Sequence, residues 1–139
     1  MSLQKTARLQ MIKNCEQQKI KQKRQKEYKT VLLMIQIFCS HKHKTKAMKL
    51  PETLCPECKQ LAEYVHTRIE KCIFMETKSF CSFCKIHCYK PEMREKIRTV
   101  MRFSGIRMIF YHPPLAIKHA ILTIKESKKK RQYETDRTY

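Results

Sequence analysis

A chain of 139 residues whose single glycine is Gly105 has few inexpensive ways to turn sharply. Two-residue hairpins, left-handed caps and phosphate-cradling loops all draw on glycine's tolerance of positive φ. The phosphate loop of nucleotide hydrolases and the dinucleotide fingerprint are therefore excluded. What remains is an all-α protein. We expect one small helical domain of four main helices, with a cysteine-rich irregular loop and metal-stabilised connections. The length suits a single domain with tails, and a 42% hydrophobic fraction permits a modest core. Residues 1–27 read as a basic N-terminal extension, helical or partly disordered. Residues 28–125 read as the cysteine-rich domain, and 126–139 as a charged tail.

Apolar periodicity places the helices. From about Glu16 to Phe38, the residues Tyr28, Val31, Leu32, Ile35, Phe38 and Cys39 recur at steps that put them on one face. The polar stretch "SHKHKTKAMKLP", 40–51, breaks that pattern. A second helix is expected from about Pro56 to Lys71, with Leu61, Val65 and Ile69 as its stripe. The segment "IFMETKSFCSFCKIHCYK" is irregular. A third helix starts at Pro91, turns Met93, Ile97, Val100 and Met101 inward, and is expected to end at Ser104-Gly105 with Gly105 as a left-handed cap. "IRMIFYHPP" then reads as a connector. A last helix, "PLAIKHAILTIKE", is expected to pack Leu115, Ile117, Ile121 and Ile124 before the chain dissolves into the charged tail.

Lysine and arginine number 31 against 12 acids, a formal net charge of +19. Such an excess attracts polyanions, either nucleic acid or an anionic membrane surface, though a solvated basic surface explains it equally well. The N-terminus lacks an apolar signal region. The longest mainly apolar run, "VLLMIQIFC" at 31–39, is too short to span a bilayer. A cytoplasmic protein is expected. In that reducing compartment, eight cysteines indicate metal ligation or redox chemistry before structural disulfides.

Six of them lie between 55 and 88: Cys55-x2-Cys58, Cys72, then Cys81-x2-Cys84-x3-Cys88. Two-residue spacing lets both thiolates of a knuckle reach one tetrahedral ion, and Pro56 stiffens the first knuckle. A continuous helix from 58 to 72 would separate its end cysteines by about 21 Å, whereas a zinc–sulfur bond is about 2.3 Å. Cys58 and Cys72 therefore belong to different centres. If the first helix ends near Cys39 and the chain doubles back, Cys39, Cys55, Cys58 and a histidine form a first site. His43 is preferred to His41 because it lies one helical turn beyond Cys39. Cys72, Cys81, Cys84 and Cys88 form a second site suited to zinc or a [4Fe–4S] cluster. His87 inside that run could replace a cysteine or hydrogen-bond a sulfur. Cys15 reads as a free thiol. His66, His112 and His119 read as packing or surface residues.

The blocks "LCPECKQLAEYVHTRIEKC", "CSFCKIHCYKPEMREKIRTVMRFSGIRM" and "HPPLAIKH" resemble the bacterial nitrous oxide-stimulated promoter family. The resemblance covers roughly residues 28–120, with Lys85 and Ile106 standing where the family pattern has proline. It implies a small cytosolic bacterial protein tied to nitrosative stress and brings no biochemical activity with it. The expected function is thus a non-enzymatic metal–thiolate protein (zinc or iron–sulfur) of the nitric oxide response. An alternative is a zinc-stabilised nucleic-acid-binding regulator using Arg94, Lys96, Arg98 and Arg102, in non-specific contact with phosphates. A dithiol oxidoreductase using Cys55-Pro56-Glu57-Cys58 is a further alternative, although the βαβ surroundings of such enzymes are missing.

Overall fold

The computed structural model describes residues 2–46, 53–75 and 88–136. They form four helices: α1 (Ser2–Lys42), α2 (Pro56–Glu70), α3 (Pro91–Tyr111) and α4 (Pro113–Asp136). No strand occurs among the described residues.

Proline sets three of the four starts. Pro56, Pro91 and Pro113 each open a helix, where a missing N–H costs nothing and φ is already helical. α1 contains neither proline nor glycine, and it runs far beyond the expected Glu16–Phe38 at both ends. The helix therefore crosses from the basic extension into the core without a break. Gln4 to Lys19 are exposed, and packing begins at Ile20.

The expected end of α3 at Gly105 is corrected. The helix continues through Gly105, which has no positive φ, and "IRMIFY" is its last part instead of a connector. One mid-helix glycine costs only about 1 kcal/mol relative to alanine, less than the burial of Met108 beyond it contributes. The true stop is at His112. The residue before a proline is driven out of the α region, and His112 has φ −143° and ψ 70°. Its carbonyl still accepts from Ala116 N–H at 3.1 Å, which starts α4. α4 likewise extends past the expected end, to Asp136. Its lysine-rich end consists largely of good helix formers.

α1 is the axis of the bundle. One side packs on α2 in antiparallel fashion: Cys55 N–H reaches Cys39 Sγ, the Tyr28 ring meets His66 edge-on, and Arg24 reaches Cys72. The other side packs on α3, where Phe38 meets Phe103 edge-on. The Ser104 hydroxyl, fully buried, donates to the Met34 carbonyl at 2.6 Å. Serving two partners widens the buried arc of α1 beyond the expected stripe, so Met34 and Ile37 are buried along with Val31, Ile35 and Cys39. On α2 the expected Leu61, Val65 and Ile69 are buried, joined by Cys58 and Ala62. On α3, Ile97 and Val100 are buried and Met93 and Met101 are half-buried.

α4 packs on α3 at the edge of the molecule. Here the expected packing of the last helix is overturned. Leu115 is half-buried against the core, but Ile117, Ile121 and Ile124 are exposed. The periodicity was real, but it marks an outward stripe as well as an inward one. Among the described residues no helix is long and apolar enough to cross a membrane.

Candidate metal centre

The open end of the α1–α2 pair gathers four donors. Cys39 closes the apolar side of α1, and the helix continues to Lys42, with His43 N–H still bonded to the Cys39 carbonyl at 2.9 Å. Lys44 then adopts φ 53°, the left-handed turn that ends the run. On the facing helix, Cys55 is the N-cap of α2, and Pro56 fixes the first turn so that Cys58 lies one turn further on. The result is compact. The donor atoms of Cys39, His43, Cys55 and Cys58 all lie within 4.8 Å of one another.

The individual distances suit a single tetrahedral ion. His43 Nδ1 is 3.1 Å from Cys55 Sγ and 3.4 Å from Cys58 Sγ. Around tetrahedral zinc, nitrogen and sulfur ligands stand about 3.5 Å apart. Further hydrogen bonds converge on the sulfurs: Thr45 Oγ1 donates to Cys39 Sγ at 3.1 Å, Cys55 N–H to Cys39 Sγ at 3.4 Å, and Cys58 N–H to Cys55 Sγ at 3.5 Å. Backbone and hydroxyl donors of this kind stabilise thiolates.

The electrostatics agree. Burial works against ionisation of Cys39, yet the Cys55 N–H, the Thr45 hydroxyl and the His43 and Cys55 side chains outweigh it and bring the thiol down to about 7. Burial pushes the Cys58 thiol up, and the neighbouring Cys55 and Cys39 push it in the same direction. Three sulfurs this close cannot all carry charge without a counter-ion, because like charges in a partly buried site repel strongly. A cation resolves the conflict. Three thiolates and an imidazole are a recognised structural zinc set, and this Cys3His group could hold a metal ion.

His41 lies elsewhere. Its Nδ1 is 2.9 Å from the Ile37 carbonyl, and its ring meets Phe103 and Tyr111 on the α3 side. The Phe38 edge meets the His43 ring. Thr45, Lys44 and Phe38 are contributors that sequence reasoning missed. A hydroxyl six residues after Cys39 in a polar linker carries no distinctive signal.

A sequence profile of the family described as nitrous oxide-stimulated promoter matches residues 22–132. The chain belongs to the nitrous oxide-stimulated promoter family. That match covers every cysteine from Cys39 to Cys88 and leaves out Cys15, which is exposed on the N-terminal part of α1. The chain is also similar to the uncharacterized protein YgbA of Escherichia coli (strain K12). The two are 36% identical over 83 residues, which is 55% of this chain and 71% of the relative. No solved structure matches.

At the other end of α2, this family member places Cys72 just past the helix, half-buried against the core. Cys88 is exposed ahead of α3. Cys81, Cys84 and His87 lie outside the described residues, so the expected second set is not assembled among those described. The intervening helix is continuous from Pro56 to Glu70, with Cys58 at one end and Cys72 beyond the other. His66 meets Tyr28, His112 closes α3, and His119 faces Thr123 on α4; none of them joins the Cys3His group.

The basic residues of α3 are partly engaged. Lys96 Nζ lies 3.6 Å from Glu57 and 3.4 Å from Glu92, and Arg98 lies 3.0 Å from Glu95. Of the remaining members of the expected phosphate row, Arg102 is exposed and Arg94 is half-buried.

Proposed function

We propose that this chain is a small cytoplasmic metal–thiolate protein of the nitric oxide response, acting by binding and not as an enzyme. The observation that carries the reading is the convergence of Cys39, His43, Cys55 and Cys58 within 4.8 Å. Zinc fits this set best, because a [4Fe–4S] cluster is ordinarily held by four cysteines. Its structural role is to pin the ends of α1 and α2. Its chemical role follows from the thiolates, which are the groups that nitrosating and oxidising agents attack. A cleft lined by His43 and Cys58, with Glu57 and Lys96 at its sides, gives a small molecule a way to this corner. Cys72, Cys81, Cys84 and Cys88 are proposed as a second site for zinc or an iron–sulfur cluster.

Anaerobic purification of the full chain, metal analysis and an absorption spectrum test this directly. A colourless protein holding zinc that a nitric oxide donor releases supports the proposal. An additional broad visible band would assign iron–sulfur to the second set. A folded, monodisperse protein that retains no metal and takes none up would overturn it. Contact with nucleic acid, given +19 and no recognition motif, would be electrostatic and weakly sequence-specific, falling steeply with salt.

A further inference from the structure

The exposed side of α4 has no part in the centre described above, and its chemistry is unusual for a solvent-facing helix. Ile117, Ile121 and Ile124 are 59%, 49% and 55% exposed, and their spacing of four and three keeps them in one line. The half-buried residues Leu115, Ala116, Leu122 and Thr123 occupy the opposite half of the helix, and Leu115 and Ala116 pack against the core. At about 100° per residue the two sets point in opposed directions, so the isoleucines face away from the protein. The stripe continues toward Pro114, which lines the same shallow groove as Ile117 and Ile121. Lys118 and Lys125 border the stripe, Lys128 follows Ile124 by one turn, and all three are exposed.

From this we infer that the outward face of α4 binds an anionic lipid surface, lying in the plane of the interface. Apolar and cationic groups are interleaved along one helix, and an occupant must satisfy both. A second copy of this chain would bring the same lysines against each other. Nucleic acid would pair with the lysines and leave three isoleucines in water. A bilayer interface supplies acyl chains for the isoleucines and phosphates for the lysines. The helix packs on α3 at the edge of the bundle, so its outward face can meet such a surface without disturbing the core.

Flotation of the full-length chain with vesicles of equal parts phosphatidylcholine and phosphatidylglycerol, against phosphatidylcholine alone, tests this. Binding is expected to the anionic vesicles and to be weaker on the neutral ones. The triple variant Ile117→Ser, Ile121→Ser, Ile124→Ser, which alters no charge and touches only the solvent face, should lose at least about tenfold in affinity. Lys118→Gln should lose about fivefold, the value of one lysine near an anionic surface. Circular dichroism and metal content of both variants should match the parent, separating failure of this surface from failure of the metal reading. Vesicle binding by the triple serine variant equal to the parent would overturn the proposal in favour of simple charge adsorption. So would no binding to either vesicle, or an oligomer that the triple variant dissolves.

Discussion

The two ends of α2 are built from similar residues and held in different ways. At the N-terminal end, Cys55 and Cys58 face Cys39 and His43 across a gap of ligand dimensions, with hydrogen bonds from Thr45 and two backbone N–H groups on the sulfurs. At the C-terminal end, Lys71 N–H caps onto Thr67 and Cys72 N–H onto Ile69, each at 3.2 Å. Arg24 of α1 reaches the Cys72 carbonyl at 3.3 Å and Glu70 at 4.0 Å. One end has donors crowded to the point of mutual repulsion. The other is tied, among the described residues, by two backbone caps and the long side chain of Arg24. A proline at the start of a helix fixes a cysteine pair in place, whereas a helix end without glycine or proline leaves its cysteine to tertiary contacts.

The largest expected effect tests whether the ends are independent. Cys58→Ser should remove one metal equivalent and destabilise the α1–α2 corner by several kcal/mol, since structural zinc contributes on the order of 10 kcal/mol in zinc-finger peptides. Cys72→Ser should leave that equivalent in place. Metal content with calorimetric unfolding of both variants decides the matter, and a single shared equivalent lost completely in either variant would break the comparison.

A second effect is confined to the crowded end. In metal-free protein, Cys39 sits at about 7 instead of its ordinary 9.0. Between those values the folded chain binds fewer protons than the unfolded one, so this thiol's contribution grows as pH rises and disappears as pH falls through 7. Urea unfolding of metal-free protein from pH 6 to pH 8.5 should show stability rising with pH, and Cys39→Ser should flatten that slope. An unchanged slope in the variant would remove Cys39 as its source.

Smaller still is the tie at the far end. Arg24→Met keeps the stem and deletes the guanidinium, and should cost about 1 kcal/mol. Amide exchange should speed up around Thr67 to Cys72 while the Cys3His end is unaffected. Faster exchange at both ends equally would show that the ends are not separable.

The smallest pair of effects concerns glycine. Lys44 holds φ 53°, where glycine is favoured, while Gly105 sits inside a helix with open space at the position of a Cβ. Lys44→Gly and Gly105→Ala should each stabilise by about 0.5–1 kcal/mol. The first should act at the Cys3His corner, and the second should leave both ends of α2 unchanged. Destabilisation by Gly105→Ala would mean that α3 needs the freedom of a glycine there.

Much of this molecule follows from local rules that the chain states openly. Scarce glycine and three proline starts dictate an all-α protein. The stripe Leu61, Val65 and Ile69 marks the buried face of α2, and the spacing of Cys55 and Cys58 with Pro56 between them puts two sulfurs on one helical turn. These are properties of a few consecutive residues, so they can be read without knowing what packs where. Other features depend on partners distant in sequence. Periodicity identifies the apolar positions of α4 but cannot say whether Ile117, Ile121 and Ile124 meet protein. Gly105 looks like a stop until α3 is seen to be held on α1 by Ser104 and the Met34 carbonyl. Thr45 becomes a donor to Cys39 only because Lys44 turns the chain back. Helix boundaries and knuckles arise from short-range sterics and hydrogen bonds, whereas the choice of which apolar face is covered is made only when whole helices compete for the same surface.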